Sequence, residues 1–171
     1  ADELLGDDYL SNKLFVISPA ASKAQRNWLA DRYAALADYA HTQGFKIVLT
    51  GGPTELEINL ANNIIKHSDS PILNLVGKTK LKELLCLLKR ASLVLAPDTG
   101  PAHMAVTVGT PVIGLYAHSN PARTGPYLYQ DYVVEVYHQN LVKQTGKIAE
   151  QLPWGTRVKG DDLMSQITTD A

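Results

Sequence analysis

Six short apolar runs punctuate the chain, at residues 14–17, 46–49, 72–76, 92–96, 111–116 and 132–136, and none of them alternates with polar residues. Runs of this kind suit strands buried on both faces of a parallel sheet. Helical periodicity fills the gaps. Leu29, Tyr33, Leu36 and Ala40 make one apolar stripe that stops at Gly44. Leu56, Leu60 and Ile64 make a second. Leu81, Leu84, Leu85 and Leu88 make a third, with Lys89 and Arg90 at the end where the helix dipole favours cations. Residues 101–108 predict a shorter fourth helix closed by Gly109, with Pro101 at its first position. Strand then helix, four times over, predicts an α/β fold: a Rossmann-like open parallel sheet with helices on both faces. Residues 1–13, polar and acidic, read as a linker into the first strand, and residues 14–171 as the domain. Residues 138–160 carry few periodic signals and are expected to wrap the surface before a last short helix at 161–167.

The chain has 171 residues, the size of one domain that needs no covalent staple. With 16 Lys and Arg against 17 Asp and Glu, it has no global field for nucleic acid or an anionic membrane. Its single cysteine, Cys86, excludes an internal disulfide and predicts a reducing, cytoplasmic compartment. No apolar run approaches the roughly 20 residues that span a bilayer, and no charged-then-apolar leader opens the chain. One cysteine and five scattered histidines give no zinc spacing. A P-loop, a G-x-S-x-G elbow and a G-x-G-x-x-G fingerprint are all missing.

In open α/β sheets ligands bind beyond the carboxyl ends of the strands. After the first run come Ala21, Ser22 and Arg26, a small-residue loop with a guanidinium, suited to a phosphate. After the second come Gly51-Gly52-Pro53-Thr54-Glu55. Here Pro53 is a candidate first helical residue, and Glu55 either complements the dipole or accepts ribose hydroxyls. After the third, Gly77-Lys78-Thr79 leaves room for a planar base. The richest segment is Asp98-Thr99-Gly100-Pro101-Ala102-His103, where a helix start offers free N–H groups beside Thr99 and His103. Asp98 would repel a neighbouring diphosphate, by about 4 kcal/mol at 4 Å and an effective dielectric near 20, unless it faced sugar hydroxyls or a cation. The loop at 117–127 offers His118 and Arg123 as possible ligand contacts but reads first as a surface loop.

Taken in order, these segments resemble the donor half of the ADP-heptose:lipopolysaccharide heptosyltransferases, inverting glycosyltransferases of the GT-B fold. The resemblance covers nearly all of residues 14–136. It rests on the Ser18–Ser22 loop with Arg26 and Trp28, on Gly51-Gly52-Pro53-Thr54-Glu55, and on Asn74-Leu75-Val76-Gly77-Lys78-Thr79. Above all it rests on Asp98-Thr99-Gly100-Pro101-x-His103 with Gly109-Thr110-Pro111. The segment from Leu152-Pro153-Trp154-Gly155 to Asp162-Leu163-Met164 is similar to the family's tail. The resemblance implies that Ala21, Ser22 and Arg26 hold the diphosphate and Glu55 the ribose. It also implies that the backbone near Thr79 takes the adenine, that Thr99, Gly100 and Pro101 form a phosphate-binding helix start, that Asp98 meets the heptose, and that His103 supports the pocket.

The same resemblance implies that an acceptor domain and its acidic catalytic base precede this donor domain in the family and have no counterpart here, so that the chain alone is expected to be inactive. It further implies a lipopolysaccharide core acceptor, a place at the inner face of the bacterial inner membrane, and no metal or other cofactor, with Arg26 and the Gly100 helix start taking the place of the metal that many glycosyltransferases use. Two other readings remain open on the residues: the donor domain of another GT-B sugar-nucleotide enzyme, such as a transferase or 2-epimerase, and a non-catalytic nucleotide-binding domain.

Overall fold

The computed structural model describes residues 2–170. All six expected strands form: β1 (Lys13–Ile17), β2 (Phe45–Leu49), β3 (Ile72–Asn74), β4 (Leu93–Pro97), β5 (Val112–Tyr116) and β6 (Val133–Glu135). They pair in parallel in the order β3-β2-β1-β4-β5-β6. The order reverses between β1 and β4, which makes their carboxyl ends the topological switch point of the sheet.

Helices α1 (Asp2–Leu10), α2 (Ala30–Thr42), α3 (Glu55–His67), α4 (Leu81–Arg90), α5 (Gly100–Thr107), α6 (Pro121–Thr124) and α7 (Tyr137–Thr145) complete the frame. Alternate strand residues feed two cores, because successive side chains point to opposite faces. Phe15, Ile17, Ile47, Leu49, Leu95 and Leu115 meet Tyr33, Ala37, Ile64 and Leu141 from α2, α3 and α7. Leu14, Val16, Val48, Val94 and Val112 meet Leu87, Leu88, Ala102 and Ala105 from α4 and α5.

Four local expectations change. The segment read as a linker contains α1, broken at Gly6, where φ is +72°. Its Leu5 is buried in the second core and its Asp8 pairs with Lys46 at 2.6 Å, so it packs on the sheet. Its apolar face was hidden among acidic neighbours. Residues 138–160 do not simply wrap the surface, because α7 occupies the first third. Its stripe is interrupted in sequence by a buried asparagine. Asn140 donates to the Val136 carbonyl at 2.7 Å and to Gln166 Oε1 at 2.8 Å, which satisfies the amide that made the segment look polar. Pro53 precedes the helix cap instead of opening α3: the cap is Thr54, whose Oγ accepts the Glu57 N–H. The helix at 161–167 is a 3-10 turn, Leu163–Gln166.

Candidate donor-binding site

Beyond β1 the chain passes Ser18 and turns through a 3-10 helix, Ala24–Arg26. Neighbouring side chains set this loop. The Ala21 N–H donates to Asn27 Oδ1 at 2.6 Å, the buried Tyr33 hydroxyl donates to the Pro19 carbonyl at 3.1 Å, and the Trp28 indole donates to the Ile167 carbonyl at 2.9 Å. Burial pushes the Tyr33 phenol far above its usual range, so it stays a neutral donor. Arg32 adds a second tie, donating to the Ser165 and Ile167 carbonyls. The Ala24–Arg26 turn packs on the Leu163–Gln166 turn. The loop is therefore held from beneath by α2 and by the tail, while Ser22 stays exposed.

Arg26 is half-buried and lines a small cleft with Asp98, Tyr116, His118, Ser119 and Met164. Arg26 and Asp98 follow β1 and β4, so the cleft sits at the switch point. Asp98 Oδ2 accepts the Ser119 hydroxyl at 2.5 Å and the Thr124 hydroxyl at 3.4 Å. Both known donors reach one carboxylate oxygen and leave Oδ1 for other partners. Burial first, and then the Asp98 charge, push the Tyr116 phenol above its usual range, and its hydroxyl donates to the Thr124 carbonyl at 2.9 Å.

Thr99 precedes α5, but its hydroxyl turns back to the Pro97 carbonyl at 3.2 Å and does not cap the helix. The first turn of α5 thus keeps its N–H groups free of a side-chain cap, with Pro101 at the position that has no N–H to satisfy. Gly100 is exposed, and a β-carbon there would meet no atom within 4 Å, so the folded chain itself does not require glycine. His103 is exposed in the same first turn.

The loops after β2 and β3 are joined: Gly77 N–H donates to the Gly51 carbonyl at 2.9 Å. Glu55 is exposed at the start of α3. Glu57 folds back instead, accepting the Gly52 N–H at 2.7 Å and the Thr54 hydroxyl at 2.6 Å. Thr79 is half-buried after a turn shaped by Asn74, whose side-chain oxygen accepts the Val76 N–H at 3.0 Å. The structure thus brings Arg26 and Asp98 into one cleft with α5 opening beside Asp98. It leaves Glu55 and Thr79 on the neighbouring loop pair of the same edge.

Sequence reasoning missed Asn27 and Glu57. Glu57 had a signal, the Thr-x-x-Glu spacing from Thr54; Asn27 had none. The loop after β5 also differs from the surface loop expected. Residues 117–121 are buried because the tail covers them, with Val158 N–H on the His118 carbonyl at 3.0 Å and His118 Nε2 2.8 Å from the Gly160 carbonyl. Among the described residues, no three His, Cys, Asp or Glu side chains converge as metal ligands. A larger apolar cavity of about 390 Å³ lies between Trp28, Leu36, Ile113 and Tyr132, apart from these polar groups.

A parallel sheet of this order, with a cation, a carboxylate and an uncapped helix start at its switch point, defines a Rossmann-like α/β domain. Residues 2–152 match the family profile of glycosyltransferase family 9 (heptosyltransferase), and the chain belongs to that family. It is 44% identical over 160 residues to the lipopolysaccharide core heptosyltransferase OpsX of Haemophilus influenzae, a match covering 94% of this chain and 46% of that protein. It is 34% identical over 102 residues to lipopolysaccharide heptosyltransferase 3 of Escherichia coli, covering 59% of this chain and 30% of that one. Its fold matches the E. coli ADP-heptose lps heptosyltransferase II at a TM-score of 0.70 and 21% identity, covering 93% of this chain and 44% of that one. It also matches the E. coli heptosyltransferase WaaC with ADP at 0.67 and 19%, covering 94% and 42%. The chain spans less than half the length of these relatives.

Proposed function

We propose that this chain is the donor-binding half of a heptosyltransferase that takes ADP-heptose and serves transfer of heptose to the lipopolysaccharide core. The observation that carries the reading is the shared cleft of Arg26 and Asp98 at the sheet's switch point, opening beside the uncapped start of α5. The names of the relatives supply the ligand: one was solved with ADP, others are lipopolysaccharide heptosyltransferases.

In this reading the acceptor hydroxyl attacks the anomeric carbon and the bond to the diphosphate breaks. Negative charge then grows on the leaving ADP. Arg26 and the free N–H groups of α5 stabilise it without having to reorganise. Ser22 and the Asn27-held backbone at Ala21 cradle the diphosphate beside Arg26. Thr99, Gly100 and Pro101 shape the helix start, where the lack of a side chain at 100 admits a phosphate closely. His103 closes the pocket. Asp98, held by Ser119 and Thr124, offers its free oxygen to heptose hydroxyls, which suits a carboxylate poorly placed for phosphate. Glu55 accepts the ribose hydroxyls, since Glu57 is already engaged with Gly52 and Thr54. The joined loops up to Thr79 take the adenine. The base and most of the acceptor site belong to another domain. No helix among the described residues is long and apolar enough to cross a membrane; the reading places the enzyme in the cytoplasm, at the inner face of the inner membrane where its acceptor lies.

Calorimetric titration of the chain with ADP, ADP-heptose, UDP and GDP tests the proposal. Binding of ADP and ADP-heptose over the other two supports it; no preference for adenine sinks it. Joining the chain to the other half of a family member and measuring transfer separates an enzyme half from a binding module.

A further inference from the structure

We propose that the outer face of α4 is a docking surface for an anionic lipid bilayer. The inference rests on the heptosyltransferase reading only for the nearness of a membrane, since that reading gives the enzyme a lipid-borne acceptor. The surface itself follows from charge and exposure. Five of the chain's 16 Lys and Arg fall within residues 78–90, against one acid, Glu83. A chain of net charge −1 therefore carries a local cationic patch that its totals conceal.

The helical period divides α4 into two sides. Leu87 and Leu88 are buried in the second core, and Leu84 packs against it. Leu81, Leu85 and Lys89 stand four residues apart in one column, and Lys82 and Cys86 make the column beside it. All five are exposed, Leu81 at 72%. Lys78 and Lys80, also exposed, extend the patch at the N-terminal end of the helix. None of these four lysines pairs with a carboxylate among the described residues. Lys78 Nζ donates to the Asn74 carbonyl at 2.9 Å, which leaves its charge uncompensated. Glu83 is half-buried and turned back onto the Lys80 N–H at 2.7 Å. Four like charges thus stand together without a counter-charge, and two leucines stand among them in water.

Those two features together select the partner. An anionic bilayer supplies counter-charge over an extended plane, and its acyl boundary takes up the leucines. The lysines keep their ammonium groups at the headgroups while their stems lie along the apolar layer. A nucleic acid would meet the charges and leave Leu81 and Leu85 in water. The acidic α1 meets the far end of α4, where Arg90 donates to the Leu10 carbonyl, so the contact is tipped toward Leu81. That end follows Thr79 at the carboxyl edge of the sheet. Docking along this face holds the donor-binding edge at the membrane surface.

The test uses Cys86, the single cysteine and exposed on this face, as the attachment point for an environment-sensitive NBD fluorophore. Vesicles of mixed phosphatidylglycerol and phosphatidylethanolamine, or of phosphatidylcholine alone, are added, and flotation of the unlabelled chain gives the affinities. The chain is expected to float with the anionic vesicles and to shift NBD emission to the blue. Both effects should vanish with phosphatidylcholine and at about 1 M salt. A lysine near an anionic surface is worth about fivefold, so Lys82→Gln with Lys89→Gln should weaken flotation about 25-fold. Leu81→Ser should weaken it roughly tenfold. Lys143→Gln with Lys147→Gln, the same charge change on and beside α7, should alter it less than about twofold. Thermal melting controls for folding in each variant. Failure to float, equal flotation with phosphatidylcholine, flotation without a shift at Cys86, or equal loss from the two lysine pairs overturns the surface. A response at Cys86 to soluble polyglutamate without flotation overturns it in favour of an acidic protein. Titration with ADP separates this surface from the donor reading. A chain that floats through α4 and ignores ADP refutes that reading alone, and one that binds ADP without floating refutes the surface alone.

Discussion

Asp98→Asn separates the sugar from the nucleotide. In the wild type Oδ2 accepts two hydroxyls, from Ser119 at 2.5 Å and Thr124 at 3.4 Å. An amide keeps those bonds only with its oxygen in the Oδ2 position, which turns its NH₂ toward the place of Oδ1. The ligand-facing atom changes from a charged acceptor to a neutral donor. A hydrogen bond to a charged group contributes about 1.5–3 kcal/mol, so ADP-heptose should lose roughly 10- to 150-fold in affinity relative to ADP. ADP itself loses nothing, because the substitution removes a negative charge near its diphosphate. Two unit charges 4 Å apart at an effective dielectric near 20 repel by about 4 kcal/mol, and the open cleft screens part of that, so ADP affinity should hold or rise. Calorimetry on both proteins gives the ratio of the two dissociation constants, with thermal melting as the control for folding. If both ligands weaken by the same factor, Asp98 serves only to hold Ser119 and Thr124 in place, and its contact with the sugar is wrong.

Arg26→Ala should weaken ADP binding roughly 10- to 150-fold while the protein melts as before, since the Arg26 guanidinium makes no hydrogen bond with the described residues; equal affinity by calorimetry would remove it from the site. Asn27→Ala takes the acceptor from the Ala21 N–H, so it should cost about 1 kcal/mol, lower Tm by roughly 2–4 °C and loosen ADP binding; an unchanged Tm with unchanged affinity refutes the loop's dependence on Asn27. Burial raises the Asp38 carboxyl, but hydrogen bonds from Ser68, Ser70 and the Asp69 N–H outweigh it and hold it below the usual range. A depressed carboxyl stabilises the fold above its unfolded pKa, and that stability is lost as pH falls through the folded value. Urea unfolding should therefore show Asp38→Ala less stable by about 1 kcal/mol or less at pH 7, with the gap narrowing below about pH 4; a gap independent of pH down to pH 2 contradicts this.

The four inner strands were legible because each is largely buried on both faces and reads as a short apolar run; the edge strands β3 and β6, half-buried, read more weakly, with Asn74 and Glu135 inside their runs. Helices α2 to α4 were legible because each carries a stripe, and α5 because Pro101 opens it and Gly109 closes it. The helices that were missed hide their stripes. Leu5 stands among Asp and Glu, and the packed face of α7 includes Asn140, whose amide is satisfied by Val136 and Gln166 from places no local window shows. In the site, Arg26 and Asp98 stood out because a cation and a turn follow strands at the carboxyl edge. Their meeting depends on strand order, which periodicity does not encode. Asn27 was invisible because its role is to fold back six residues onto Ala21. Glu57 was passed over in favour of Glu55 because both lie in the first turn of α3, and only the backbone at Gly52 distinguishes them. The buried loop at 117–121 depended on the tail that covers it, 40 residues further along.

The bond from the Trp28 indole to the Ile167 carbonyl joins residues 139 apart in sequence. On a ribosome making about 5–20 residues per second, Trp28 waits roughly 7–28 s for its partner. The sheet can assemble in that interval, since its last strand ends at Glu135. The turn carrying Arg26, which leans on residues 163–166, cannot finish until the tail arrives. If the proposed function holds, competence to bind a phosphate thus comes only once residue 166 has been made, after the framework is already built. A nascent chain stalled before residue 160 would be folded in its middle and would leave the Arg26 turn without its support.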